Sequence, residues 1–143
     1  MIRKVEDMQS GLRWLAAALV VALSGCMTAS NETKVDENAF PANYKTEVIY
    51  VVPNFIAFPT KIRDASISEP ALTSVGGVTR YASCVRFTPR VNDTQYGAPE
   101  VRIVYFVQGN ITQFIPANKA QCGAAAYKPF PELEKICPSG DCK

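Results

Sequence analysis

The chemistry open to this chain is limited first by what it lacks, because its 143 residues include no histidine. A serine or cysteine nucleophile needs a base within hydrogen-bonding reach, and the usual base is missing. Ser66, Ser68, Ser74 and Ser83 lie in stretches that read as strands or turns, and none sits in a Gly-x-Ser-x-Gly elbow. The carboxylates Asp64, Glu69, Asp93, Glu100, Glu132 and Glu134 are scattered. Glu132 and Glu134 are two apart, so on a helix they would diverge and not meet at a common substrate. Gly76-Gly77 is an isolated pair that reads as a turn and not as a phosphate cradle. No catalytic residue is assigned, and the chain is expected not to be an enzyme.

Cys26 is the exception among reactive side chains, and its neighbours say why. Arg3, Lys4 and Arg13 precede an apolar run from Leu15 to Leu23, and Leu23-Ser24-Gly25-Cys26 closes it. The run is far shorter than the ~20 residues a membrane span needs and fits a signal-peptide core of ~7–15. Small residues directly before the cysteine resemble the lipobox of bacterial lipoprotein precursors. That resemblance implies removal of residues 1–25, a diacylglycerol on the Cys26 sulfur, and a further acyl chain such as palmitate on its new amino group. Two or three chains give a stable anchor, at about 0.8 kcal/mol per buried CH₂, where one gives only reversible binding. Lipoproteins of this kind that stay in the inner membrane carry aspartate after the cysteine. Met27 and Thr28 stand there in this chain, so the resemblance implies the outer membrane, with the face undetermined.

Export gives the remaining cysteines a meaning. Cys84, Cys122, Cys137 and Cys142 are an even set for an oxidising compartment. Four cysteines allow three pairings, which sequence alone does not separate. The preferred pairing ties Cys84, on a strand, to Cys122 in the loop after the sheet, and closes a small ring from Cys137 to Cys142. A metal site is not expected, since there is no Cys-x₂-Cys pair and no histidine. The Cys-x₄-Cys spacing at the end also differs from the Cys-x-x-Cys of redox motifs. The covalent lipid on Cys26 is the only expected cofactor-like group.

Charge narrows the partners. The chain carries 15 basic and 13 acidic residues; without Arg3, Lys4, Arg13, Glu6 and Asp7, which leave with the leader, 12 and 11 remain. So even a balance leaves no electrostatic footprint for nucleic acid. Asn31, Asn92 and Asn110 begin Asn-x-Ser/Thr triplets, which a bacterial lipoprotein carries by chance. Within this balance, Arg80 and Arg86 share strand parity, and Arg102 on the next strand could line up beside them. Three guanidiniums in a row would grip phosphates or carboxylates of an envelope component. The plainer alternative pairs them with Asp64, Glu69 or Glu100. Tyr96, in the polar loop Asn92 to Pro99, could be offered to a partner. Lys143 invites comparison with the murein lipoprotein whose final lysine joins peptidoglycan, although it follows a cysteine here and not a long helix.

These residues need a scaffold. Residues 26–40 are polar and read as a lipidated flexible tether with a reach of roughly 20 Å, and residues 41–143 as one small α+β domain. Tyr44, Val48, Val51, Val52, Phe55 and Phe58 recur at helical steps, so Pro41 to Phe58 is expected to be an amphipathic helix. Pro53 demands a kink, or makes Glu47 to Val52 a strand instead. Strands are expected at Ile62 to Pro70, Tyr81 to Thr88, Glu100 to Gln108 and Ile111 to Pro116, giving roughly four antiparallel strands. Gly109-Asn110 is read as a two-residue hairpin loop, which sets Gln108 opposite Ile111, Phe106 opposite Gln113 and Tyr105 opposite Phe114. Both sheet faces are largely apolar. The N-terminal helix is expected on one, and the C-terminal segment (Ala124 to Ala126, Tyr127, Phe130, Leu133) over part of the other. A short helix is expected after Pro131, with proline at its first position and acids in its first turn.

The segments Ile62-Arg63-Asp64-Ala65, Tyr81 to Phe87 and Tyr127 to Leu133 are similar to stretches of small lipoproteins of alphaproteobacteria, a likeness that implies no activity. The expectation is a non-enzymatic, lipid-anchored cell-envelope protein acting as a structural or protein-interaction module. The alternative is an inhibitor that blocks a hydrolase such as lysozyme by inserting a loop.

Overall fold

The structure is a computed structural model that describes residues 36–137. The expected signal peptide, Cys26, Cys142 and Lys143 lie outside the described residues. The fold is α+β, and six antiparallel strands organise it: β1 (Arg63–Ser68), β2 (Ala71–Val75), β3 (Val78–Thr88), β4 (Glu100–Val107), β5 (Asn110–Pro116) and β6 (Tyr127–Pro129). Helix α1 (Tyr44–Val51) precedes them, α2 (Lys119–Cys122) links β5 to β6, and α3 (Pro131–Glu134) follows.

The expected long helix is shorter. Its eight residues end in a 3₁₀ turn at Val52–Asn54, where Pro53, lacking an N–H, cannot continue the α ladder. Val48 and Val52, four apart and fully buried, anchor the helix in a core with Ile67, Val85, Phe87, Val104 and Phe106. Phe55, beyond the turn, meets the Phe114 ring edge-on at 5.6 Å. The short helix after Pro131 is present, and its Leu133 is fully buried in the same core.

The order β5-β4-β3-β1-β6, with β2 also on β3, corrects the strand count from four to six. The 11-residue β3 takes β1 along one half and β2 along the other. Gly76 and Gly77, both at positive φ, turn β2 into β3. Ala71–Val75 carries no strand signal in the sequence, because its hydrophobic residues do not alternate. β6 is three residues long and includes Pro129; its pairing comes wholly from β1, where Ser66, Ile67 and Ser68 face Pro129, Lys128 and Tyr127.

The β4–β5 register is also corrected. The loop is Gln108-Gly109, both at positive φ, one residue earlier than expected. Val107 therefore faces Asn110 and Phe106 faces Ile111. A bulge then brings Tyr105 opposite Gln113 and Val104 opposite Phe114. A one-residue slip exchanges faces, so Phe114 joins Val104 and Phe106 in the helix-side core. The opposite face carries a smaller cluster of Ala82, Cys84, Ile103, Tyr105 and Cys122. The C-terminal cover is split between the two: Ala125 and Tyr127 pack on this second face, while Phe130 and Leu133 enter the helix-side core.

Candidate functional site

The second face of the sheet ends in a cleft of about 820 Å³. Its floor is Ala82 and Cys84 of β3 with Ile103 and Tyr105 of β4, four neighbours held flat by the ladder. The opposite wall is α2 and the three alanines that follow it, Ala124, Ala125 and Ala126. Small side chains keep this wall low, so the space remains open. The Cys84–Cys122 disulfide, with Cα atoms 5.8 Å apart, ties wall to floor, which is the bond the sequence favoured for Cys84.

Local chemistry fixes the wall. Asn118 caps α2 by accepting from the Gln121 N–H at 2.9 Å, while the Gln121 side chain accepts from the Asn118 N–H, a reciprocal capping box. The Gln121 amide also donates to the Tyr105 hydroxyl at 3.1 Å, and Tyr127 donates to the Cys122 carbonyl. On the strand side, Ser68 accepts from the Cys84 N–H at 2.9 Å, and Ser83 donates to the Ser68 carbonyl.

The third side is β2. Six consecutive residues, 71–76, border the cleft. Because strand side chains alternate between faces, contact with all six means the cleft runs along the backbone edge as well as the sheet surface. At one end the Glu69 carboxylate and the Lys128 ammonium form an exposed ion pair at 2.5 Å. Glu69 is held below the usual carboxylate range, first by the hydrogen bond from Lys128 and then by its charge, and Lys128 is raised by the same partner. Among the described residues, these are the only charged ones lining the cleft. Its surface can bury apolar or weakly polar groups and satisfy a few hydrogen bonds at the rim.

The arginine row does not form. Arg80 and Arg86 stay on the second face, as parity requires, but Arg102 faces Val85 across the ladder and turns to the helix side. It stacks on Phe114 at 5.2 Å and pairs with Glu100 at 3.1 Å, close to the plainer alternative. Arg86 lies over the Tyr127 ring at 4.7 Å. Burial raises the Tyr127 hydroxyl above its ordinary value, and the Arg86 charge partly opposes that. Among the described residues no group of three metal-ligating side chains converges, and no helix is long and apolar enough to cross a membrane.

Tyr96 is not presented outward. Its hydroxyl donates to the Lys61 carbonyl at 2.9 Å, and Arg63 lies 3.9 Å from its ring centre. Asn92 folds this loop by accepting from the Thr94 and Gln95 N–H groups. Arg90, nearly buried, donates to the Asn92 and Asp93 carbonyls.

Sequence reasoning missed the cleft because its parts come from four separated segments. One signal was visible: the ten residues Pro70 to Thr79 carry no charge, and neither does Ala120 to Tyr127. No protein-family model matches the chain, and no curated protein or solved structure is significantly similar to it.

Proposed function

We propose that this protein is a lipid-anchored binding module of the bacterial cell envelope, and that the cleft beside β2 is where it holds its partner. In this reading Cys26 becomes the lipidated first residue, residues 26–35 serve as the tether, since the Glu37 carbonyl already accepts from the Gln108 N–H and Phe40 packs on Tyr81, and the acyl chains hold the domain at the outer membrane. The lipobox-like residues before Cys26 and the short apolar run support the anchor. The Cys84–Cys122 bond suits an oxidising compartment. The cleft carries the binding half of the proposal: about 820 Å³ over an apolar floor, with its wall clamped by a disulfide and a capping box. Its two charged lining groups neutralise each other, which suits a neutral surface of another envelope protein or component better than turnover chemistry. The loop-insertion alternative is less well supported, because the one aromatic of residues 92–99 is tied down to Lys61 and Arg63.

Growth of cells expressing the chain with an alkyne-bearing palmitate analogue tests the anchor. The native protein should be labelled and sediment with outer membranes, and Cys26→Ala should abolish both. Equal labelling of the two would overturn the anchor.

A further inference from the structure

The outer edge of β2 is an unfilled strand position. β1 and β2 lie end to end on the same side of β3. β1 has a further neighbour in β6, but the chain leading into β6 passes the far side of the cleft as Ala124, Ala125 and Ala126. Among the described residues, no backbone group of Ala71–Val75 has a backbone hydrogen-bond partner outside its ladder with β3. Unpaired N–H and C=O groups in a row are a template for another strand. Edge strands commonly block this with charge, proline or a bulge, yet Ala-Leu-Thr-Ser-Val has none of these and pairs with β3 in unbroken register. Leu72, Val75 and Val78 on this hairpin remain exposed, Leu72 by 55%.

Resting on the binding role proposed for the cleft, we infer that it takes an extended, uncharged peptide segment of an envelope protein, which adds as a strand to β2. Five residues at about 3.3 Å each give an edge of roughly 17 Å, enough to pair with a segment of similar length. Backbone pairing supplies affinity, and alternate side chains of the guest lie beside Ala71, Thr73 and Val75 on the cleft's face of the sheet. Charge selects the guest: Glu69 and Lys128 neutralise each other at one end and the remaining lining is uncharged, so a charged segment would lose solvation without gaining a partner.

The test uses the full lipidated chain in detergent and a panel of capped seven-residue peptides, alternating Val or Thr with Ala, against versions carrying Lys or Glu at every second position. Amide hydrogen exchange is read at Ala71–Val75. The neutral peptides should protect these amides at least tenfold and bind at least tenfold more tightly than the charged versions. Thr73→Lys on the edge and Ala124→Trp on the wall should each weaken binding tenfold or more while the far-UV spectrum stays native. Four results overturn the inference: no binding, binding without edge protection, protection that grows with protein concentration alone, and protection lost on deleting residues 27–35. The third would mean pairing between copies, and the fourth, occupancy by the chain's own tether. Binding that Ala124→Trp weakens without edge protection would remove strand addition and leave the cleft's binding role standing. Only its failure to bind in the envelope would remove both.

Discussion

Cys84 in the middle of β3, on the floor of the cleft, is bonded to Cys122, 38 residues away at the end of the helix whose Ala120 and Gln121 line its wall. A bond closing a loop of that length contributes about 4 kcal/mol by restricting the unfolded chain. Replacing both cysteines with alanine should lower stability by about 3–4 kcal/mol in guanidinium denaturation. It should also raise amide exchange in α2 well above that in β4. A loss under about 1 kcal/mol would show that the capping box and Tyr127 hold the wall alone.

Phe130 has no exposed surface and joins the last segment to the helix-side core, with its N–H donated to the Ala65 carbonyl. Phe130→Ala should cost about 3–5 kcal/mol through the cavity it leaves. Tyr50, 83% exposed on α1, should change stability by less than about 0.5 kcal/mol when replaced by alanine. Similar losses for the two variants would contradict the assignment of the core.

Glu69 and Lys128 define the pH behaviour of the cleft mouth. Glu69 is lowered, so its contribution is present above the unfolded carboxylate value and is lost as pH falls through the folded one. Lys128 is raised, so its share is present below the unfolded ammonium value and is lost as pH rises through the folded one. The pair is closed across neutral pH and opens at either extreme. In a carboxylate NMR titration Glu69 should have a midpoint below the ordinary glutamate range, and Lys128→Ala should restore it. An unmoved midpoint would contradict the pairing.

Gln108 turns the β4–β5 hairpin at φ 54°, followed by Gly109 at φ 78°. Left-handed backbone suits asparagine better than glutamine, and Asn-Gly is the preferred pair for such a loop. Gln108→Asn should raise stability by up to about 1 kcal/mol, and Gln108→Val should lower it by about 1–2 kcal/mol. The opposite order in thermal unfolding would refute the loop assignment.

The strength of each sequence signal set how much of this was readable. The α+β class and the antiparallel sheet followed from alternation and glycine turns, while an even cysteine count implied disulfides and left Cys84–Cys122 as a preferred pairing among three. The α1 stripe was visible at Val48 and Val52, but its length was overread because Phe55 and Phe58 keep the period after Pro53 has ended the helix. The β4–β5 register slipped because Gly109-Asn110 and Gln108-Gly109 are both acceptable turn pairs, and only the contacts of Phe114 with the helix-side core choose between them. β2 and β6 are strands by virtue of their neighbours, since neither has a periodic pattern of its own. The arginine row failed for a related reason: strand parity relates Arg80 to Arg86, but Arg102 lies on a different strand, whose face depends on register. The cleft was the least legible part, being assembled from residues up to about sixty positions apart with no motif in common.

A photo-crosslinking residue placed at position 124 in growing cells tests the central claim most directly, with the same residue at exposed Val91 as the control. The account predicts a discrete adduct to an envelope component from position 124 in the membrane fraction, lost with Thr73→Lys and absent from position 91. No adduct, or the same adducts from both positions, would contradict it.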